Sequence, residues 1–100
     1  MKHLSVRFLV GLKDENGLAL TDEEKEKAIE YLANQYQAGG VYEGTGYWRG
    51  GEEPCFMFES IVTDCEHERI VARMHAKYIA DILEQEAIGL VFTPCEFELI

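Results

Sequence analysis

Residues Gly39–Ser60 read GGVYEGTGYWRGGEEPCFMFES, and the fold turns on this stretch. Val41 to Arg49 is rich in aromatic and β-branched side chains and predicts a strand. Cys55 to Val62 alternates. Phe56, Phe58 and Val62 fall on one side, Met57, Glu59 and Ile61 on the other, which is the period of a second strand. Between them, Gly50-Gly51-Glu52-Glu53 is a turn signal, so the two strands form a hairpin. Pro54 lacks the donor a ladder needs and is expected at a strand's start or on an edge.

The flanks repeat one device. Thr21-Asp22-Glu23-Glu24 is a capping box, in which the Thr21 hydroxyl accepts from the Glu24 amide and the Glu24 carboxylate from the Thr21 amide. Ala28, Ile29, Leu32, Ala33 and Tyr36 follow at helical spacing, and Gly39-Gly40 ends the helix. Ahead of it, Leu4, Val6, Phe8 and Val10 alternate with Ser5, Arg7 and Leu9, a half-buried strand, and Lys13-Asp14-Glu15-Asn16-Gly17 reads as a polar loop. After the hairpin, Thr63-Asp64-Cys65-Glu66 is a second capping box. Ile70, Val71, Met74, Tyr78, Ile79, Ile82 and Leu83 then form a broad apolar stripe suited to lying across a sheet. Arg69, Arg73 and Lys77 line the opposite side. Gly89 is the expected helix stop. Val91 to Ile100 is the expected last strand, with Cys95, Phe97 and Leu99 alternating against Glu96 and Glu98.

The order is βαββαβ in one domain, residues 1–100. Right-handed crossovers place both helices on one face of a four-stranded antiparallel sheet. This α+β arrangement resembles the ferredoxin-like fold over the whole chain, a topology that carries little function of its own.

Composition narrows the function classes. The net charge of −10 opposes the positive surface that nucleic acid phosphates require, so direct nucleic acid binding is not expected. No apolar run reaches the ~20 residues of a membrane span, and the first residues carry no continuous apolar segment of a signal peptide. The expectation is a cytoplasmic protein. Cys55, Cys65 and Cys95 are odd in number and form no CxxC, which points to reduced thiols. Cys65 with His67 lacks the paired ligand intervals of a metal site, and Asp64, Glu66 and Glu68 disfavour a reactive thiolate, so no metal or other cofactor is expected.

The helix-free face of the sheet is the candidate surface. Alternation assigns Arg7, Glu59, Glu96 and Glu98 to it if Phe8, Phe58 and Phe97 face the helices. On the second strand, either Glu43, Tyr47 and Arg49 or Tyr42 and Trp48 share that face, since a one-residue slip exchanges the sets. The candidate binding residues are Arg7, Glu43, Tyr47, Trp48, Arg49 and Glu59, with arginines as donors, carboxylates as acceptors and an aromatic wall. Cross-strand salt bridging, or a homo-oligomer interface on the same face, is the competing reading. Gly44 and Gly46, inside a strand, mark a bulge or a close backbone approach. The Arg69, Arg73 and Lys77 row reads as a solvated face, with Glu66 pairing Arg69 and Asp81 pairing Arg73.

Gly46, Trp48, Glu59 and Ser60 form a G-x-W…E-S pattern, with Tyr47 at x. The pattern resembles that of some small ferredoxin-like proteins, phage-encoded ones among them. The resemblance implies a small accessory or binding protein. The leading expectation is therefore a non-catalytic, homo-oligomeric protein that binds a protein partner or a small polar ligand through its aromatic strand surface, a phage-type inhibitor fitting that description. The alternative is a small enzyme with its pocket on the open sheet face. There Glu59 or Glu43 would be the base and Arg7 or Arg49 the anion holder.

Overall fold

The computed structural model describes residues 2–100. Period-two burial along β1 (His3–Gly11) sets the layers: Leu4, Val6, Phe8 and Val10 are wholly buried on one face. They pack beneath α1 (Asp22–Gln35), which contributes Ala28 and Leu32, and α2 (Glu66–Ile82), which contributes Ala72, Ala76 and Ile79. Phe56 and Phe58 of β3 (Gly51–Thr63) join the same layer. Burying one such ring contributes about 1.5–3 kcal/mol. β2 (Gly40–Trp48) and β4 (Gly89–Cys95) complete a four-stranded sheet in the order β2-β3-β1-β4, every neighbouring pair antiparallel. This is the ferredoxin-like βαββαβ arrangement, with both helices on one face.

The first capping box forms as the sequence dictates. Thr21 Oγ1 accepts from the Glu24 amide at 3.1 Å, and Glu24 Oε1 accepts from the Thr21 amide at 2.9 Å. The second does not form. β3 runs on to Thr63, Cys65 becomes the N-cap of α2 without a side-chain cap hydrogen bond, and Asp64 accepts from Arg69 Nη1 at 2.7 Å instead. At its far end α2 stops at Ile82, followed by Glu84 with a left-handed φ of 52°, rather than running to Gly89. Gly89 opens β4 and lies against Leu9, where a Cβ would stand 3.0 Å from that side chain.

Of the expected apolar stripe of α2, only Ile79 and Leu83 are buried. The deep line is Ala72, Ala76, Ile79 and Leu83, because small alanines let the helix settle closely. Ile70, Met74, Tyr78 and Ile82 remain exposed along its flank. The ion pairs also differ from expectation: Arg69 meets Asp64, and Arg73 meets Glu66 at 3.7 Å.

The β2–β3 turn is shorter than Gly50-Gly51-Glu52-Glu53. Trp48 pairs with Gly51, leaving Arg49 (φ 49°) and Gly50 (φ 82°) as a two-residue turn with both residues left-handed. That geometry matches the twist of a hairpin. Arg49 takes it at a cost of about 1 kcal/mol, and its guanidinium lies over the Trp48 ring, 5.2 Å from the centroid.

Pro54 sits inside β3, opposite Thr45. The Leu12 amide donates to the Pro54 carbonyl at 2.9 Å, so the Pro54 nitrogen also faces the β1 side and costs β2 no hydrogen bond. The Leu12 carbonyl, which a donor at Pro54 would have met, accepts from the Leu20 amide at 2.9 Å. β4 ends at Cys95 because its partner His3 is the first residue of β1. The expected strand to Ile100 is therefore cut short, and Glu96 and Glu98 are not on the sheet. Phe97 lies edge-on to His3 at 5.8 Å rather than under the helices. Among the described residues, no helix is long and apolar enough to cross a membrane.

Candidate functional site on the open sheet face

Register places a polar cluster at the middle of the helix-free face. Arg7 and Glu59 are direct cross-strand partners on β1 and β3. Arg7 Nε donates to Glu59 Oε2 at 2.7 Å, and Ser5 Oγ donates to the same oxygen at 2.9 Å. Ser5 is almost fully buried beneath the pair, at 3% exposure. The two charged side chains stay partly open, at 40% for Arg7 and 26% for Glu59. Arg7, and then Ser5, hold the Glu59 carboxyl below its ordinary range, so it is ionised at neutral pH. Among the described residues, the terminal guanidinium nitrogens of Arg7 make no hydrogen bond, and they remain available to a ligand.

β2 supplies the wall. Its residues Gly40, Tyr42, Gly44, Gly46 and Trp48 lie in register with the open-face residues of β3. Gly40 stands directly beside Glu59, and the Tyr42 ring leans over it: a Cβ on Gly40 would meet Tyr42 Oη at 3.1 Å. The missing side chain is what lets the phenol lie across Gly40.

The six candidate residues do not converge. Arg7 and Glu59 form the cluster. Glu43 and Tyr47 lie on the helix side of β2, and Glu43 accepts from Lys25 Nζ of α1 at 2.6 Å. Lys25 is raised above its ordinary pKa, first by that hydrogen bond. Trp48 shares the open face, but its partner Gly51 is eight residues from Glu59 along β3, about 26 Å at the rise of a strand. Arg49 belongs to the turn and pairs with Glu86 at 3.1 Å. Tyr42, at 55% exposure and paired with Met57, is the open-face aromatic of β2 nearest to Glu59 in register. The signal that could have found it is Gly40, two residues before a ring on the same face.

The surface is shallow. One hollow lies between the helices, lined by Tyr31, Tyr78, Ile82 and Leu83 among others, and another lies beside His3, Gln35 and Phe97. Neither includes Arg7 or Glu59. Among the described residues, no three His, Cys, Asp or Glu side chains gather as metal ligands.

The chain shares its fold with a phage SAM lyase. The structure of that enzyme in complex with S-methyl-5′-thioadenosine superposes with a TM-score of 0.66 at 14% identity, over 91% of this chain and 80% of that one. Its apo state gives 0.61 at 15% identity, over 93% and 81%. The de novo designed protein Foldit4 gives 0.51 at 10% identity, over 96% and 99%. No protein-family model matches the chain, and no curated protein matches it in sequence. At these identities the likeness is one of fold.

Proposed function

We propose that the open face at Arg7 and Glu59 holds an S-adenosylmethionine-type ligand and promotes cleavage of its carbon–sulfur bond to give S-methyl-5′-thioadenosine. The observation that carries this reading is the Ser5–Arg7–Glu59 cluster, an ionised carboxylate and a guanidinium fixed on an uncovered sheet. The fold shared with the phage SAM lyase supports the ligand class. Such a ligand presents a sulfonium, an ammonium, a carboxylate, ribose hydroxyls and a purine. Glu59 suits the cationic and hydroxyl groups, the free nitrogens of Arg7 suit the carboxylate, and the Tyr42 ring suits the purine or the sulfonium. A net charge of −10 favours the approach of a cation.

When the carbon–sulfur bond breaks, its electron pair goes to sulfur, which becomes neutral. The carbon is then completed by the ligand's own carboxylate oxygen or by loss of a neighbouring proton. Glu59, with its lowered pKa, is a poor proton acceptor, so the first route suits it better. Glu59 and Arg7 then orient the ligand and balance its charges. The test is to incubate the protein with S-adenosylmethionine and follow S-methyl-5′-thioadenosine by chromatography. The wild type is expected to form it, and Glu59→Gln and Arg7→Ala to form at least tenfold less while keeping native circular dichroism. A wild type that neither forms product nor binds either compound in calorimetry overturns the reading.

A second reading rests on the hairpin tip, where Tyr47 and Trp48 are 75% and 53% exposed. Large exposed aromatics suit a protein-binding accessory or inhibitor. Capture of a partner that Trp48→Ala abolishes, with the fold intact and Glu59→Gln harmless, would favour it.

A further inference from the structure

We propose that β2 pairs edge to edge with β2 of a second copy, antiparallel and centred on Gly44. The inference is independent of the ligand reading. Pro54 faces the β1 side, so its partner Thr45 turns its own N–H and C=O away from β3. By alternation Val41, Glu43, Thr45 and Tyr47 do the same. They present a row of unpaired donors and acceptors along the free edge of the sheet.

The two edges are not equivalent. On β4, Pro94 pairs with Leu4 of β1. Leu4, like Leu12, points its backbone toward β3, so the Pro94 nitrogen faces outward and removes a donor from that edge. β2 spans nine residues and has no proline, no lysine and Glu43 as its one charge. An edge of this length normally carries a guard; β4 has one and β2 does not.

The occupant is a second copy because the open-face row of β2 is complementary to itself. Its sequence at alternate positions is Gly40, Tyr42, Gly44, Gly46, Trp48. A two-fold axis at Gly44 sets Tyr42 opposite Gly46 of the second copy, Trp48 opposite its Gly40, and Gly44 opposite its Gly44. Tyr42 meets a bare glycine, and Trp48 meets Gly40 with the Tyr42 ring that leans across it, ring beside ring. On the helix side, Val41 meets Tyr47 and Glu43 meets Thr45, so the two Glu43 carboxylates avoid direct opposition. Gly44 needs no positive φ, and a Cβ there would meet nothing within 4 Å in this chain. Its bareness is explained by a neighbour that the single chain does not contain.

The test is sedimentation of the full chain with two designed variants. The wild type is expected to be dimeric, or an even multiple, and Thr45→Pro monomeric with native circular dichroism, since the Thr45 amide gives no hydrogen bond to β3. In a Cys55→Ser background, which removes the cross-strand thiol facing position 44, Gly44→Cys is expected to form a disulfide-linked dimer on mild oxidation. Symmetric partners at a non-hydrogen-bonded position stand about 4.5 Å apart between Cα atoms, within disulfide reach. Gly46→Cys in the same background is expected to give none. A monomeric wild type, an odd subunit number, or an assembly that Thr45→Pro leaves unchanged overturns the proposal. So does cross-linking at position 46 in preference to 44. If Thr45→Pro fails to fold, the cysteine pair decides alone.

Discussion

Replacing Glu59 by Gln tests the central cluster without emptying the site. The amide keeps an oxygen that can face Ser5 and Arg7 but loses the charge. Arg7 is 40% exposed, so water screens the ion pair and the charge itself contributes about 0.5–1 kcal/mol. Ser5 is nearly buried, and weakening its charge-assisted hydrogen bond costs about as much again. A loss of about 1–2 kcal/mol in a domain of this size lowers the melting temperature by roughly 5–10 °C near neutral pH. Arg7 holds the folded carboxyl below its ordinary value, so the unfolded chain takes up its proton first as pH falls. The stabilisation is complete above the unfolded pKa near 4.3 and is lost as pH drops through the lower folded value. Thermal melts of both proteins across pH are expected to differ most at neutrality and to converge in acid, once the folded carboxyl is protonated as well. A gap that does not change with pH, or a variant more stable than the wild type at neutrality, refutes the account.

Three further outcomes follow from the scaffold. Thr21→Ala removes the reciprocal cap of α1 and is expected to cost about 1 kcal/mol, read as a lower urea midpoint with unchanged slope. Tyr36, packed between Phe8, Phe58 and His75, has a buried hydroxyl without a hydrogen-bond partner among the described residues, and burial pushes its pKa up to about 12. Tyr36→Phe is expected to be neutral or to stabilise by about 1 kcal/mol, and to delete the last phenol in an ultraviolet titration. His75 touches Tyr31 Oη at 3.0 Å and Tyr36 edge-on, with Glu68 opposing, and burial holds its pKa below the usual value. The unfolded chain therefore protonates first, and stability falls as pH drops below about 6.5 until the folded imidazole titrates. Denaturation midpoints of His75→Gln are expected to lose that slope.

The element order was legible because strict alternation in Leu4–Val10 and Cys55–Val62, and the Thr21–Glu24 cap, each have one reading. The face of β2 was not. β2 is an edge strand, exposed on nearly all residues of both faces, so no burial pattern distinguishes Tyr42 and Trp48 from Glu43 and Tyr47. The second cap failed because pairing with β1 carries β3 on to Thr63, a tertiary effect that a four-residue motif does not contain. The end of β4 depends on where β1 begins, which local sequence cannot report. Arg7 and Glu59 were legible as members of one face. Their hydrogen bond to each other, and the substitution of Tyr42 for Trp48 as the nearest open-face aromatic, required the register.

Pro54 has a consequence for how the chain finds this register during folding. A two-residue slide of β1 along β3 that sets Val10 opposite Pro54 would leave the Val10 carbonyl facing a nitrogen that has no proton to give. In the native pairing the Leu12 carbonyl has a substitute donor in place, the Leu20 amide. Strands mispaired in that direction therefore lose a hydrogen bond that the native pairing keeps. The proline acts as a stop against which the central pair of strands is aligned.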